Sequence, residues 1–329
     1  MKNVAVIAGG DSAEYEVSIR SGNHVYEMLD GERFNKFLVV IRGLEWNVVE
    51  GEERYPVDRN DFSFARGGER VRFDFAYITV HGTPGENGLL QGYLDMARVP
   101  YGGCGVLCSA LTFDKYTCNA YLRGHGVKVP DSLLLRRGVA YDRQEVVDTL
   151  GLPCFVKPNA EGSSFGIAKV KALDELEDAV ARAMGYCPEV LVEEFIDGRE
   201  FTCGVVKSGE MVALLPVAEV ISKRELFDFQ AKYDPACAEE IIPARVPEEF
   251  SDRLKRLSSA IYDLLRCEGI VRVDYRVRGD EIFMLEVNTT PGMTSNSFIP
   301  KMVTAMNGCL REILSAIIEN KLRSFAPRG

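Results

Sequence analysis

Short apolar runs alternate with an amphipathic stretch over the first hundred residues of the chain. The runs "NVAVIAGG", "KFLVVIR" and "FDFAYITVHG" are typical of buried strands, and residues 18–29 have helical spacing between the first two runs. Strands that alternate with helices usually form parallel sheets. The pattern therefore predicts a small α/β domain on a mostly parallel sheet, over residues 1–103.

Strands and longer loops follow in the middle of the chain. The segment "VLCSALTFDKYTCNAYLRGHG" has helical spacing, and strands are predicted at "LPCFVKP", "IAKVK" and "EVLVEEFI". These strands flank a glycine- and serine-rich loop, "NAEGSSFG", and a helix, "LDELEDAVARAM". We expect a second domain over residues 104–193, whose strands close over a groove.

The last third of the chain combines strands, one long polar loop and an amphipathic helix. The loop covers about residues 222–245, and loops this long are often active-site lids. The helix "FSDRLKRLSSAIYDLLRCEG" repeats leucine and isoleucine at i, i+3 and i+4. We assign these elements to a third domain, residues 194–329.

Two apolar strands near the C-terminus, "IVRVDYRV" and "EIFMLEVN", are joined through "RGD" and predict a hairpin. A three-residue connection, residues 278–280, would let apolar residues at odd positions face the core together: Val271, Val273, Tyr275, Phe283, Leu285 and Val287. The same register places polar side chains of both strands on the opposite face: Arg272, Asp274, Glu286 and Asn288.

Three oxygen donors and one arginine on a single patch are costly unless their charge is compensated. Mg²⁺ suits such a patch, because it takes few carboxylates and bridges to substrate phosphates. The alternative is a solvated sheet face with incidental charges. The small residues of the following "TTPGMTSNS" favour the metal site, since they allow a substrate to approach the backbone closely.

Composition and charge narrow the class of partner. The chain has 46% hydrophobic and 27% charged residues, as ordinary soluble proteins do, and its net charge is -10. This charge argues against nucleic acid and anionic membranes, although local lysines can still hold small anions. Neither a membrane span nor a signal peptide is predicted. The nine scattered cysteines lack a C-x-x-C pair, which indicates reduced thiols packed as small core residues rather than disulfides or a zinc site.

Lys157 stands at a strand end, just before the glycine- and serine-rich loop. Backbone N–H groups of such a loop can cradle phosphate while the lysine supplies a point charge. The segment is neither a P-loop nor a dinucleotide-binding fingerprint, and a plain hairpin turn is the alternative. Taken alone, Lys115 in "FDKY" would be a surface lysine.

Together these segments resemble the D-alanine–D-alanine ligases of the ATP-grasp superfamily over nearly the whole chain. The resemblance is carried, in the family's order, by "AGGDSAEYEVS", "HGTPGENGLLQGYL", "PYGGCGVLCSALTFDK", "LGLPCFVKPNAEGSSFGIAKV", "VLVEEFIDGREFT", "FDFQAKY", "VRVDY" and "LEVNTTPGMTSNSFIP". It implies an α/β ATP-grasp fold, in which nucleotide lies between two sheet-bearing domains behind a smaller N-terminal domain.

The resemblance also implies the activity. Such enzymes use ATP to convert one D-alanine into an acyl phosphate, which the amine of a second D-alanine attacks to give D-alanyl-D-alanine for peptidoglycan precursors. Two Mg²⁺ or Mn²⁺ ions are expected. A bacterial cytoplasmic homodimer, paired through its N-terminal domain, is expected as well, with neither nucleic acid nor membrane as a partner.

Site residues follow from the same resemblance. The positions expected to bind ATP are Lys115, Lys157, Ser164, Glu193, Ile196, Glu200 and Lys232. The expected metal ligands are Asp274, Glu286 and Asn288, with Glu286 shared between the two ions.

The substrate pocket is implied in the same way. Glu14 would pair with the ammonium of the first D-alanine, and Ser163 and Tyr233 would be hydrogen-bonded near it. Arg272 and the backbone N–H of Gly292 would face the developing oxyanion. The remaining expected substrate contacts are His81, Ser295 and Ser297, of which the two serines would hold the second carboxylate.

Some positions depart from the family pattern, namely Asn87, Cys104, Glu194 and Asn296, but none is a metal ligand or a phosphate lysine. The nearest alternative is a ligase with D-lactate or D-serine as acceptor, although Tyr233 resembles the dipeptide-forming type. An oxidoreductase, suggested by "VAVIAGG", lacks the glycine fingerprint. A non-catalytic nucleotide-binding regulator is disfavoured, because every expected catalytic position is filled.

Overall fold

The computed structural model describes residues 1–162, 165–222 and 238–325. Within these residues the strands form three sheets, which span residues 2–102, 132–194 and 199–288. No helix in these ranges is both long and apolar enough to cross a membrane. The division into domains at 1–103, 104–193 and 194–329 stays a prediction. The first boundary falls between two sheets, whereas the second falls just before Glu194, the last residue of a strand of the second sheet.

The first sheet runs in the order β6-β5-β4-β3-β2-β1-β7-β8. Its strands are β1 Lys2–Gly9, β2 Phe34–Arg42, β3 Glu45–Glu50, β4 Glu53–Asp58, β5 Ser63–Arg66, β6 Glu69–Arg72, β7 Phe75–Ile78 and β8 Tyr101–Gly102. Strands β2, β1, β7 and β8 pair in parallel, as predicted, whereas β3 to β6 add an antiparallel extension. The extension was not predicted, because its strands are short and rich in charged residues.

Both faces of the first sheet are covered. Helix α1, Tyr15–Met28, follows β1, and helix α2, Leu89–Met96, precedes β8. One face packs around Ile7, Val39 and Phe62. The other face, with Val6, packs against apolar side chains of the C-terminal helices, among them Ile299, Leu314 and Ile318. The first sheet and the C-terminal part of the chain therefore share one hydrophobic core.

The second sheet is antiparallel, in the order β11-β10-β12-β9. Its strands are β9 Ser132–Arg136, β10 Cys154–Pro158, β11 Ala168–Val170 and β12 Glu189–Glu194, and its helices are α5 Arg143–Leu150 and α6 Leu176–Met184, the latter preceded by a 3₁₀ turn at Leu173–Glu175. The single helix expected before this sheet is two helices, α3 Val106–Phe113 and α4 Lys115–Gly124. The break lies at Asp114, whose carboxylate accepts from the Thr117 N–H at 2.8 Å and so caps α4.

The third sheet is antiparallel, in the order β16-β15-β13-β17-β18, with β14 paired to β13. Its strands are β13 Arg199–Ser208, β14 Met211–Leu214, β15 Ala218–Ser222, β16 Ala238–Ile241, β17 Gly269–Arg278 and β18 Glu281–Asn288. Its helices are α7 Glu248–Leu264, α8 Phe298–Ala305 and α9 Leu310–Ser324. Most of the polar loop predicted at 222–245 lies outside the described residues.

The β17–β18 hairpin differs from the predicted register in one respect. Its connection is Gly279–Asp280, two residues rather than three, and Gly279 has a φ of 61°, which glycine adopts without strain. A bulge at Leu285 inserts one unpaired residue. Because of the bulge, Phe283 and Leu285 do not share the core face with Val287 as expected. The residues of β18 that join the core with Val271, Val273 and Tyr275 are Ile282, Met284 and Val287.

Candidate active site

A cavity of about 900 Å³ is lined by residues of the second and third sheets, and by helix α1 and loops that follow strands of the first sheet. Every predicted site residue that the structure describes lines it: Glu14, His81, Lys115, Lys157, Glu193, Ile196, Glu200, Arg272, Asp274, Glu286, Asn288, Gly292, Ser295 and Ser297. The other predicted site residues, Ser163, Ser164, Lys232 and Tyr233, lie outside the described residues.

Strands β17 and β18 bring the predicted polar patch together. Asp274 lies directly opposite Glu286, and Arg272 lies opposite Asn288. The Arg272 guanidinium donates to both oxygens of Asp274 at 2.8 Å, and the Asn288 amide donates to Oδ2 at 3.1 Å. The Thr202 hydroxyl on β13 donates to Oδ1 at 2.5 Å. The predicted shared patch is therefore present, although the bulge rather than a regular ladder produces it.

The second sheet contributes a buried ion pair. Lys157 Nζ on β10 lies 2.8 Å from Glu193 Oε2 on β12, and their side chains are 11% and 4% exposed. The second carboxylate oxygen, Glu193 Oε1, is buried and accepts no hydrogen bond from the part of the chain that the structure describes. A buried acceptor in this condition is costly, so a ligand that donates a hydrogen bond there would be favoured.

Arg276 is a cavity residue that sequence reasoning missed. Its guanidinium lies 2.8 Å from Glu200 Oε2 and also donates to the Gly198 carbonyl at 2.9 Å. It follows Arg272 and Asp274 at two-residue spacing on β17, so the strand period could have identified it. The pair fixes the Glu200 carboxylate at the wall of the cavity.

The N-terminus of α4 is tied to the end of β10. The Lys115 N–H donates to the Asn159 carbonyl at 3.2 Å, and the Tyr116 N–H donates to Asn159 Oδ1 at 2.9 Å. The Lys115 ammonium donates to the Glu161 carbonyl at 2.6 Å. Lys115 therefore lies beside the glycine- and serine-rich loop rather than at the outer surface.

Two carboxylates from the first sheet's loops line the cavity, of which Glu14 is buried and Glu86 is half-buried. A Cβ on Gly162 would lie 2.1 Å from Glu14 Oε2, so only glycine allows this loop to approach the Glu14 carboxylate so closely. Glu86, which sequence reasoning missed, accepts from the Gly82 N–H at 2.7 Å. Burial and the neighbouring negative charge of Glu14 raise the pKa of Glu86 to about 8. The sequence does not indicate this environment, because a glutamate in a glycine-rich loop is usually solvated.

His81 lies at the floor of the same region. Its Nε2 is 3.2 Å from Ser21 Oγ on α1, and the side chain is buried. Burial lowers the pKa of His81, against the opposing effect of the Glu14 carboxylate. The imidazole is therefore held in its neutral form near neutral pH.

The "TTPGMTSNS" segment joins β18 to α8 along one wall of the cavity. The Ser297 hydroxyl accepts from the Thr294 N–H at 3.1 Å, and the residue occupies the N-cap position of α8. A Cβ on Gly292 would lie 2.9 Å from Ser297 Oγ, so glycine permits this approach. The Ser21 hydroxyl accepts from the Met293 N–H at 3.2 Å, which attaches the segment to α1.

The donor set of the hairpin patch fits a hard divalent cation. Asp274 and Glu286 offer carboxylate oxygens, and Asn288 offers an amide oxygen, on adjacent strands that face the same cavity. Mg²⁺ and Mn²⁺ prefer such oxygen ligands and retain waters. The patch could therefore hold metal beside bound phosphates.

Comparison with known proteins identifies the family. A family model described as the D-ala D-ala ligase N-terminus matches residues 3–104, and one described as the D-ala D-ala ligase C-terminus matches residues 122–319. The chain belongs to the D-alanine–D-alanine ligase family.

Relatives of this ligase family match over almost their full length. A D-alanine–D-alanine ligase from Bacteroides fragilis is 50% identical over 322 residues, which cover 97% of this chain and 99% of that protein. Among solved structures, D-alanyl-alanine synthetase A from Vibrio cholerae has a TM-score of 0.88 at 26% identity, with 98% and 99% of the two chains covered. The VanG D-Ala:D-Ser ligase from Enterococcus faecalis has a TM-score of 0.85 at 33% identity, with 97% and 99% covered.

These matches confirm the predicted α/β ATP-grasp fold of the ligase family. The fold alone does not identify the acceptor substrate. The ligase from Enterococcus faecalis has the same architecture, but its name gives D-serine as the acceptor. The relative at 50% identity is a D-alanine–D-alanine ligase, which favours the predicted acceptor.

Proposed function

We propose that the cavity is the active site of an ATP-dependent ligase that joins two D-alanine molecules into D-alanyl-D-alanine for peptidoglycan precursors. One observation carries the proposal: all described residues expected from the family line a single cavity, although they come from distant segments of the chain between residues 14 and 297. Full-length similarity at 50% identity to a D-alanine–D-alanine ligase supports the same conclusion.

The nucleotide base binds at the second sheet. The amino group of adenine donates to Glu193 Oε1, the buried oxygen that accepts no hydrogen bond from the described residues. Backbone atoms up to Ile196 complete the adenine contacts, and the ribose hydroxyls donate to Glu200, which Arg276 holds in place. Binding of ATP therefore satisfies a polar atom that the protein alone leaves costly.

The phosphates extend from Lys157 toward the hairpin patch. Lys115 and Lys157 supply positive charge at one end, and Asp274, Glu286 and Asn288 would hold two Mg²⁺ or Mn²⁺ ions at the other, with Glu286 shared. Such ions would neutralise phosphate charge during the transfer. The two lysines and the hairpin patch therefore fix the two ends of the triphosphate.

The first D-alanine binds between Glu14 and Arg272. The Glu14 carboxylate pairs with the substrate ammonium, so the substrate carboxylate points toward the phosphates and becomes the acyl phosphate. Arg272 and the Gly292 N–H then donate to the oxyanion that forms when the second amine attacks. Removal of one such donor typically costs about 10²–10³ in rate.

The second D-alanine binds at the N-terminus of α8. Its carboxylate accepts hydrogen bonds near Ser295 and Ser297, where the positive end of the helix dipole favours an anion. His81, neutral and buried, faces the same pocket. Roles for Ser163, Ser164, Lys232 and Tyr233 follow the family resemblance, with the last two belonging to a lid that keeps water from the acyl phosphate.

Product analysis tests the proposal. Purified protein is mixed with ATP, Mg²⁺ and D-alanine, alone or with equimolar D-lactate or D-serine, and the products are identified by mass spectrometry at several pH values. We expect one ADP per D-alanyl-D-alanine, with the dipeptide dominant at neutral pH. Preferential formation of the D-lactate or D-serine product would transfer the assignment to that acceptor class. Failure of D-alanine to stimulate ADP release would contradict a ligase altogether.

We further propose that the enzyme acts as a cytoplasmic homodimer. Large apolar side chains are exposed on α2 and α3, namely Leu89, Met96 and Leu107, whose exposures are 63%, 81% and 68%. Exposed apolar groups on neighbouring helices are typical of an interface. Sedimentation should give the mass of two chains, and Met96→Glu should shift the species toward one chain; a wild-type monomer at micromolar concentration would contradict the dimer.

A further inference from the structure

Three buried cysteines, Cys104, Cys108 and Cys267, converge away from the active-site cavity. Their sulfur atoms all lie within 4.8 Å of one another, and those of Cys108 and Cys267 are 3.6 Å apart. The three side chains are 2%, 4% and 7% exposed. The sequence predicted separate core cysteines and no zinc site, because Cys267 is remote along the chain and no C-x-x-C pair occurs.

The cluster lies where the first sheet meets the third. Cys104 follows β8, Cys108 is in α3, and Cys267 lies between α7 and β17. The backbone is closely packed here, since a Cβ on Gly269 would lie 3.2 Å from the Gly103 Cα. A ligand held by all three sulfurs would therefore connect two parts of the fold that no covalent bond joins locally.

The sulfur positions are close to those of a metal–thiolate site. Tetrahedral zinc at about 2.3 Å from each sulfur requires sulfur–sulfur separations of about 3.8 Å. The Cys108–Cys267 separation of 3.6 Å is already near this value, and the others need to shorten by about 1 Å at most.

A backbone N–H group donates a hydrogen bond to the cluster. The Glu268 N–H donates to Cys104 Sγ at 3.4 Å, which offsets negative charge on that sulfur. Cys104 also lines a small cavity of about 20 Å³, which is large enough for one water molecule.

We propose that Cys104, Cys108 and Cys267 form a binding site for a thiophilic divalent cation of the zinc group. On binding, the three thiols release their protons to solvent and three metal–sulfur bonds form, so that a divalent ion with three thiolates carries one net negative charge. The ion links the β8–α3 connection to the α7–β17 connection and stabilises the folded state. The site is independent of the proposed catalysis, whose metal ligands are oxygen atoms.

Cadmium titration tests the site, because thiolate-to-cadmium charge transfer absorbs in the ultraviolet and oxygen ligands do not produce it. The experiment uses reduced, chelator-treated protein in a Cys309→Ser background, which removes the thiol that is exposed among the described residues. We expect saturation at one Cd²⁺ per chain and a higher thermal midpoint with Zn²⁺. Cys108→Ala should abolish both effects, whereas Cys118→Ala, a matched change in the same core cluster, should retain them.

A band that is absent in the Cys309→Ser protein, or that survives in Cys108→Ala, would overturn the proposal. Zinc-edge X-ray absorption on the Cys309→Ser protein with one equivalent of Zn²⁺ gives the answer even if Cys108→Ala does not fold. Three sulfur neighbours at about 2.3 Å are expected. A shell of only oxygen and nitrogen neighbours would exclude the cluster as the binding site.

Discussion

Glu286 faces Asp274 across the β17–β18 hairpin, and both carboxylates line the cavity. We expect Glu286→Gln to lower kcat for D-alanyl-D-alanine formation by at least about 100-fold, because it removes the charge shared by both metal ions. The fold should persist, since Glu286 is only half-buried and glutamine is isosteric with it. Steady-state kinetics at several Mg²⁺ concentrations and a thermal midpoint check both statements.

Glu281 on the same strand provides the matched control. It is exposed at the hairpin end, where it pairs with Lys128 and Arg278. Glu281→Gln should leave kcat within about twofold, since exposed ion pairs contribute little. Near-normal turnover of Glu286→Gln, with the control also normal, would refute the metal assignment.

The Lys157–Glu193 pair links stability to nucleotide binding. Lys157→Met leaves the Glu193 carboxylate buried without its cation, which should lower the free energy of unfolding by about 3–5 kcal/mol. The double variant Lys157→Met/Glu193→Leu should recover most of that loss, because an apolar pair replaces the ions. Urea unfolding measures both. Equal destabilisation of the single and double variants would mean that the pair is not energetically coupled.

The double variant should recover stability but should not recover ATP binding. Neither the single nor the double variant should bind ATP with measurable affinity, since one lacks the phosphate lysine and the other also lacks the adenine acceptor. Isothermal titration in the presence of Mg²⁺ tests this. Recovery of ATP binding in the double variant would place the nucleotide elsewhere in the cavity.

Glu86 should make the stability of the ligand-free protein depend on pH. Its pKa is raised to about 8 in the folded state, above the ordinary value near 4.5, so the unfolded chain loses the proton first. The stabilising contribution of protonated Glu86 is full below about pH 4 and is lost as pH rises through about 8. Glu86→Gln keeps a neutral side chain, which can still accept from the Gly82 N–H.

The measurable quantity is the difference in free energy of unfolding between Glu86→Gln and the wild type. We expect this difference to increase in favour of the variant from about pH 5 to about pH 8 and then to level off. Urea titrations at five or six pH values provide it. A difference that does not change with pH would show that the pKa of Glu86 is not raised in the folded protein.

At the scale of single elements, the hairpin could be predicted from sequence only in part. Apolar alternation was sufficient to place Arg272, Asp274, Glu286 and Asn288 on one face, because the side-chain period of a strand is two. The bulge at Leu285 could not be predicted, since an inserted residue in an apolar run leaves no local signal. The two-residue connection and the bulge together account for the wrong core assignment of Phe283 and Leu285.

The segment between β18 and α8 depends on the close approach of Gly292 to Ser297. Gly292→Ala would bring a methyl group to 2.9 Å from Ser297 Oγ, which displaces the hydroxyl from the Thr294 N–H. We expect kcat/KM for D-alanine to fall by up to about 100-fold, as for other small misplacements of a reacting group. The KM for ATP should stay within about twofold, because the nucleotide contacts lie on the second sheet.

Gly124→Ala is the control for this substitution, since a Cβ there would meet no atom within 4 Å. Its kinetics should equal those of the wild type. If Gly292→Ala raised the KM for ATP and left D-alanine kinetics unchanged, the assignment of this segment to the amino-acid substrate would be wrong.

At the scale of the whole molecule, the active site depends on contacts that no short pattern encodes. Sequence motifs identified the candidate residues for nucleotide, metal and substrate, because most of these motifs stand at the end of a strand or in a glycine-rich loop. The burial of Glu86, the contact of Gly162 with Glu14 and the convergence of the three cysteines depend on how the sheets pack. Such tertiary effects appear only in the assembled structure.

The most direct test of this account is anomalous diffraction from crystals grown with Mn²⁺, a non-hydrolysable ATP analogue and D-alanine. We predict two manganese peaks beside the β17–β18 hairpin, both within coordination distance of Glu286, with Asp274 bound to one ion and Asn288 to the other. The adenine amino group should lie within hydrogen-bond distance of Glu193. Manganese peaks elsewhere, or nucleotide bound outside the cavity, would contradict the account.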